Sequence, residues 1–247
     1  MSKDFFPVIQ YSEAKLLTLL CLSAACLWSF VELADWVLDG QSHAIDEKLL
    51  LLFRTQANIE DPLGPLWLED FIRDLTALGS VGILSLLTLL CMGYLLLEQK
   101  KRLALLLMTF IASGILASFA LKTGFTRPRP DLVPHATEVY TSSFPSGHSM
   151  LSSLVYLTLA SLGSLLQSRR RNKAYLYCTA VLLSVVVGLS RVYLGVHWPT
   201  DVLAGWTMGT VWALLFLLIS RTGIQSGWLE PADAMTSSRP ARTEKVD

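Results

Sequence analysis

The sequence predicts an all-α membrane protein, a bundle of six transmembrane helices with short amphipathic helices on its outside. Of 247 residues, 52% are apolar and only 16% are charged, where a soluble chain carries about 25%. The deficit sits in runs such as 103–121, 149–168 and 202–220, none of which holds a charged residue. Each run is close to the ~20 residues that cross a hydrocarbon core of about 30 Å. The runs are continuous rather than alternating, and in lipid only helices or closed barrels satisfy their own backbone. Helices are therefore expected.

Six spans follow in order: 16–38, 77–97, 103–121, 149–167, 174–190 and 202–220. The polar start of the chain is only weakly basic and the first apolar run is long, so it reads as a retained anchor rather than a cleaved signal. Glu32 and Asp35 fall near one end of that span, within reach of the interface. After it, 45–53 is leucine-rich, and Leu63, Leu66, Trp67 and Phe71 recur at helical spacing. These read either as surface helices packed on the bundle or as amphipathic helices lying in the lipid interface. Residues 1–220 form one integral-membrane domain. The segment 221–247 mixes Pro, Ser, Thr and charge and is expected to be a disordered tail.

Two short loops fix an orientation. Segment 98–102 holds three basic residues and one acid, and 168–173 holds Arg169, Arg170, Arg171 and Lys173 with no acid. The positive-inside rule puts both in the cytoplasm, together with both termini. The other connections, 39–76 among them, then face outward. Net charge is zero, which gives no field for nucleic acid. Cys21, Cys26, Cys91 and Cys178 lie in apolar runs without metal-type spacing. They read as buried structural thiols.

Three short strings carry the chemistry, and the span count puts all three on the outward side. The first holds Lys122, Arg127, Arg129 and Pro130; the second is Pro145-Ser146-Gly147-His148; the third runs through Ser190, Arg191, His197 and Asp201. Taken alone, each has an ordinary explanation. A Lys or Arg at a span end is usually a snorkelling anchor. Here, however, the cations lie on the side that the positive-inside rule leaves poor in them. Arginine grips phosphate oxygens with a planar fork and lysine acts as a point charge. Spacing does not decide between Arg127 and Arg129. Ser146 reads as a helix cap, yet a glycine turn at a helix start also presents free N–H groups and the positive end of the macrodipole to an anion. His148 sits where a general acid would stand. His197 and Asp201 are four residues apart around Pro199, and a carboxylate on one imidazole nitrogen makes the other a better nucleophile or base. His43 and His135 read as solvated loop residues. Asp131, His135 and Glu138 could be assembled into a metal site only on paper, so no metal is expected.

Read together, the strings match the pattern Lys-x6-Arg-Pro, Pro-Ser-Gly-His, Ser-Arg-x5-His-x3-Asp, with every position filled. In this the chain resembles the type 2 phosphatidic acid phosphatase (PAP2) superfamily. The resemblance covers 122–201 by motif and the six-helix plan by architecture, a PAP2/haloperoxidase-like core. It selects Arg129 over Arg127 as the motif arginine. It implies a metal-independent, cofactor-free hydrolase acting through a phosphohistidine. His197 would be the nucleophile, Asp201 its orienting carboxylate and His148 the acid for the leaving oxygen. Lys122, Arg129, Ser146, Gly147 and Arg191 would hold the phosphoryl oxygens.

The resemblance further implies a membrane-bound bacterial lipid phosphatase, multi-pass in the inner membrane, with an extracytoplasmic site and a lipid phosphate as partner. Undecaprenyl diphosphate is the first expectation, with phosphatidate and phosphatidylglycerol phosphate as alternatives. A lipid phosphotransferase using the same site, and a non-catalytic lipid transporter, are the competing readings. The soluble vanadium haloperoxidases of the superfamily fit six spans poorly.

Overall fold

The structure, a computed structural model, describes residues 13–131 and 142–230. Eight α-helices occur among them: α1 (Glu13–Leu38), α2 (His43–Leu51), α3 (Leu66–Ala77), α4 (Val81–Leu97), α5 (Lys101–Gly124), α6 (Gly147–Leu165), α7 (Arg170–Tyr193) and α8 (Pro199–Gln225). Four of them, α1, α5, α7 and α8, are long and apolar enough to cross a membrane. Helices α3 and α4 are bent by 46° at a short break, and counting them as one broken span makes five. The protein is thus a multi-pass membrane bundle, but the expected count of six is not reproduced.

The reason lies in α6, which corresponds to the run 149–167. It is the central helix, packed against α4, α5, α7 and α8, and most of its 19 residues are buried. Being shielded from lipid by its neighbours, it can carry Ser149, Ser152, Ser153, Thr158, Ser161 and Ser164 on buried faces. Several of these hydroxyls bond back to their own helix, as Ser153 does to the Ser149 carbonyl at 2.9 Å.

The α6–α8 contact is the tightest seam of the bundle. A Cβ on Gly209 would lie 2.0 Å from Ser153 Oγ and 2.3 Å from the Met150 carbonyl oxygen, and one on Gly205 would lie 2.7 Å from the Ser146 carbonyl oxygen. Gly205 and Gly209 are four apart on one face, the small-residue spacing that lets membrane helices approach backbone to backbone. Around this seam Leu103, Leu107, Leu151, Leu154, Val155 and Phe216 form the main apolar core.

The outer helices behave oppositely. Leu20, Leu27 and Trp28 of α1, Leu86 and Leu90 of α4, and Leu116 and Phe119 of α5 are exposed. So are Cys21 and Cys178, while Cys26 and Cys91 are half-buried and all four are free. The expectation of buried thiols is therefore corrected: in a lipid-facing helix an apolar neighbourhood in sequence does not mean burial in protein. Helices α2 and α3 form where the leucine-rich and amphipathic stretches are expected. α3 leaves Leu66, Trp67 and Phe71 exposed and buries none of its residues fully. α8 continues to Gln225, past the expected domain end at 220, and Leu229 is buried against Gly223. The remainder of the expected tail, 231–247, lies outside the described residues, as do His135 and Glu138.

Candidate active site

Helix direction assembles the site. α5 and α7 run toward one end of the bundle and finish there at Gly124 and Tyr193, while α6 and α8 start there at Gly147 and Pro199. The three strings thus meet at one end. The basic loops 98–102 and 168–173 lie at the other.

His197 sits just before α8 and is 2% exposed. Its Nδ1 lies 3.4 Å from Asp201 Oδ2 and 3.4 Å from Ser143 Oγ. Its Nε2 faces Arg129 Nη1 at 3.3 Å. A guanidinium can only donate. The ring nitrogen toward Arg129 is therefore the one with the lone pair, and Nδ1 holds the proton on the carboxylate side. Burial, reinforced by the Arg129 and Arg191 charges and opposed by the hydrogen bond to Asp201, pushes the imidazole down from its ordinary value to about 3. At neutral pH the ring is uncharged, the state in which an imidazole can attack.

Asp201 has no exposed surface. It occupies the third position of α8, and its Oδ2 accepts the Trp198 N–H at 2.9 Å, which closes the helix start behind Pro199. The same oxygen accepts the Ser143 hydroxyl at 2.5 Å. Oδ1 accepts Arg127 Nη1, also at 2.5 Å. One carboxylate therefore caps a helix and stands beside the histidine ring.

Ser146 is the cap of α6, accepting from Ser149 N at 3.4 Å and from Ser149 Oγ at 2.9 Å. In both it is the acceptor, so its own proton remains to donate. Gly147 opens the helix, where the first N–H groups have no partner within it. Lys122 Nζ donates to the Ser142 carbonyl at 3.0 Å. A Cβ on Gly147 would come within 3.2 Å of Lys122 Cε, so the glycine keeps this approach open. Arg129 Nη1 also donates to the Val196 carbonyl at 2.7 Å. Arg191 Nη1 donates to Thr76 Oγ1 at 3.1 Å, and its Nε is buried without a hydrogen-bond partner. His148 is largely buried and lies within electrostatic reach of Arg191, His197, Lys122 and Arg129. All eight expected site residues are thus brought together at one end.

The α3–α4 break forms a wall of the same site. Besides the Thr76 contact, Tyr156 Oη donates to the Leu78 carbonyl at 2.8 Å. A Cβ on Gly79 would lie 3.3 Å from His148 Cβ.

Arg127, the alternative to Arg129, points elsewhere. Its Nη1 donates to Thr200 Oγ1 at 2.7 Å and to Asp201, while its Nη2 donates to Ser42 Oγ at 3.2 Å and to Asp46 Oδ2 at 2.6 Å. Its guanidinium lies 5.6 Å from the Trp198 ring centroid. Trp198 also meets His43 edge-on at 5.3 Å, so that histidine is not a purely solvated one. Sequence reasoning passed over Ser143, Asp46 and Thr200. Ser143 stands two residues before the second string, but nothing in its spacing marks it.

Among the described residues no group of three or more His, Cys, Asp or Glu side chains is placed to hold a metal ion. The arrangement is a neutral imidazole whose lone pair faces Arg129, three buried or half-buried cations and a helix start, which together suit an anionic tetrahedral group.

Known proteins share this plan. A profile of the PAP2 superfamily matches residues 102–224. The chain is 36% identical over 154 residues to phosphatidylglycerophosphatase B of Bacillus subtilis (strain 168), covering 62% of this chain and 74% of that one. It is 37% identical over 99 residues to undecaprenyl-diphosphatase of Sulfolobus acidocaldarius, covering 40% of this chain and 42% of the relative. Among solved structures it is similar to a transmembrane PAP2 type phosphatidylglycerolphosphate phosphatase from Bacillus subtilis, with a TM-score of 0.66 and 29% identity over 83% of this chain and 96% of that one. All three strings fall inside the matched interval, and by profile, sequence and fold alike the chain belongs to the PAP2 superfamily.

Proposed function

We propose that the protein is an integral-membrane lipid phosphatase that hydrolyses a lipid phosphate or diphosphate through a phosphohistidine. The observation that carries the reading is the His197 ring, with Nδ1 toward Asp201 and Nε2 toward the Arg129 guanidinium. A phosphoryl group held by Arg129 would meet the lone pair of that nitrogen.

Nε2 attacks phosphorus as the bond to the leaving oxygen breaks, and His148 gives a proton to that oxygen. Burial and the surrounding cations keep His148 neutral until the anionic substrate offsets them, and its proton is taken up with that substrate. Asp201 holds the Nδ1 proton as the ring becomes cationic. Lys122, Arg129, Arg191, the Ser146 hydroxyl and the Gly147 N–H hold the three remaining oxygens, where charge spreads in the transition state. Water then attacks the phosphohistidine, gives a proton back to His148, and releases phosphate. These groups supply the positive charge, so the reading invokes no metal.

The site is assigned to the extracytoplasmic face, because the basic loops stand at the opposite end and positive charge favours the cytoplasm. The substrate class follows from relatives named for phosphatidylglycerol phosphate and undecaprenyl diphosphate. The released lipid would be an alcohol from the first and a monophosphate from the second.

The test is a panel on the purified full-length protein in detergent: undecaprenyl diphosphate, phosphatidylglycerol phosphate, phosphatidate and a soluble phosphate ester. Free phosphate from a lipid substrate without added acceptor is expected, and a strong preference for the soluble ester would overturn the lipid assignment. His197→Ala is expected to lose roughly 10²–10⁴-fold or more in turnover, the range typical of positioned acid–base groups. It should also lose the acid-labile phosphoenzyme trapped on rapid quenching of the parent. Near-parent turnover in His197→Ala would refute the mechanism.

A further inference from the structure

Buried charge needs a partner, and the pairing of Asp201 extends outward to a helix that has no place in the phosphate pocket. Asp46 belongs to α2, on the outside of the bundle, and has no exposed surface. Its Oδ1 accepts the Thr200 N–H at 2.9 Å, and its Oδ2 accepts the Thr200 hydroxyl at 2.7 Å and Arg127 Nη2 at 2.6 Å. Arg127 in turn bonds Asp201 Oδ1. The chain of contacts is Asp46 to Arg127 to Asp201 to His197, with Thr200 bridging the first two.

We propose that Asp46 and Arg127 are positioning residues of the catalytic reaction, fixing the plane of the Asp201 carboxylate so that Oδ2 stays on His197. Three observations carry this. First, the division of labour on Asp201 is complete: Arg127 takes Oδ1, while Ser143, Trp198 N and His197 share Oδ2. A carboxylate held at only one oxygen can turn about its own bond. Second, Arg127 is fastened on both sides, by Asp46 and Ser42 on Nη2 and by Asp201 and Thr200 on Nη1. It is therefore set as a strut and not as a phosphate ligand. Third, the backbone supports the strut: Ser143 N donates to the Arg127 carbonyl at 3.0 Å, and Trp198 Nε1 donates to the Pro128 carbonyl at 3.1 Å. The segment carrying Arg127 is stitched to both sides of the His197–Asp201 pair. Lysine, with its single ammonium, would not span both carboxylates as the planar fork does. This inference rests on the phosphohistidine reading and deepens it.

The experiment compares R127Q, R127K, D46N and the double variant D46N/R127Q with the parent and with Arg129→Gln. Phosphatidylglycerol phosphate or undecaprenyl diphosphate serves as substrate, whichever the panel favours, and inorganic phosphate serves as competitive probe. R127Q is expected to lose about 10²-fold in kcat, the scale of a small misplacement of a reacting group. Its KM and its inhibition by phosphate should stay within about threefold, since binding is left alone. R127K should recover little. D46N should fall in the same direction by less, and the double variant should be no worse than R127Q, because Asp46 acts through Arg127. Arg129→Gln, by contrast, should weaken phosphate inhibition.

A raised KM with weakened phosphate inhibition in R127Q would make Arg127 a substrate ligand and overturn the proposal, as would an unchanged kcat or fully additive losses in the double variant. Should R127Q fail to insert, the same kcat-against-KM split is read from D46N. The phosphohistidine reading is judged separately by His197→Ala: an active His197→Ala protein removes the reading, whereas an inert one beside a fully active R127Q removes only the positioning role.

Discussion

The two ends of the bundle use the same residue types in opposite ways. At the far end Lys101, Arg102, Arg169, Arg170 and Arg171 are exposed, and of the basic residues in the two loops there only Lys100 is fully buried. Single exposed charges of that kind contribute little to stability. At the site end Arg127, Arg129, Arg191 and Lys122 are drawn out of water and set against carboxylates, carbonyls and a helix start. Counting basic residues would rate the two ends alike. The difference is burial: a cation removed from solvent must be matched by a defined partner. At the site end the buried Arg191 Nε has no hydrogen-bond partner within the protein, which leaves it available to the anion of the proposed reaction.

Arg191→Ala probes this contrast with the largest expected effect. Removing a buried donor aimed at developing charge typically costs about 10²–10³-fold in kcat, measured as phosphate release at saturating lipid. A smaller effect, on stability, comes from breaking the seam that holds the site helices. Gly209→Leu forces a side chain against Ser153 and the Met150 carbonyl. Overpacking of that kind costs about 1–3 kcal/mol and should appear as a lowered Tm in detergent, with Gly82→Leu, where nothing stands within 4 Å, as the unaffected control.

A pH effect sharpens the comparison further. In the unfolded chain His197 takes up a proton near its ordinary value of 6.5, but in the folded protein only near 3. The unfolded state therefore binds more protons between those values. Stability from this group is whole above about 6.5 and falls as pH drops toward 3. A Tm series from pH 7 to 4 should slope downward, and His197→Asn should flatten part of that slope. The smallest effect belongs to the far end: Arg170→Ala should leave turnover within about twofold and Tm almost unmoved, as surface substitutions do.

How much of this was legible in the sequence depended on the range of the interactions. Apolar runs marked the helices, since a lipid environment leaves few alternatives to continuous hydrophobicity. They did not separate a helix bathed in lipid from one wrapped in protein. The serines of α6 together with Gly205 and Gly209 were the signal for the buried case, because small and hydroxyl side chains suit helix-to-helix contact. The thiols were misread for the same reason in reverse. Within the site, Lys122, Arg129, Ser146, Gly147, His148, Arg191, His197 and Asp201 were singled out by the family pattern, and they lie at one end because α5 and α7 finish where α6 and α8 start. The partners of Asp201 were not. Asp46 and Arg127 are 81 residues apart, and Ser143 and Asp201 are 58 apart. No periodicity links such positions: spacing left Arg127 and Arg129 open, the family pattern chose Arg129, and the fold adds that Arg129 faces His197 while Arg127 faces the carboxylates.

The glycine seam between α6 and α8 bears on inheritance as well as packing. It leaves no volume into which a mutation could add an atom without displacing backbone, so Ser146 on one helix and Asp201 on the other are held at a spacing that drift cannot alter gradually. The lipid-facing surfaces of α1, α4 and α5 carry no such restriction. A scaffold divided in this way concentrates its tolerance of change in the outer, lipid-facing helices and its intolerance in the seam that spaces Ser146 from Asp201.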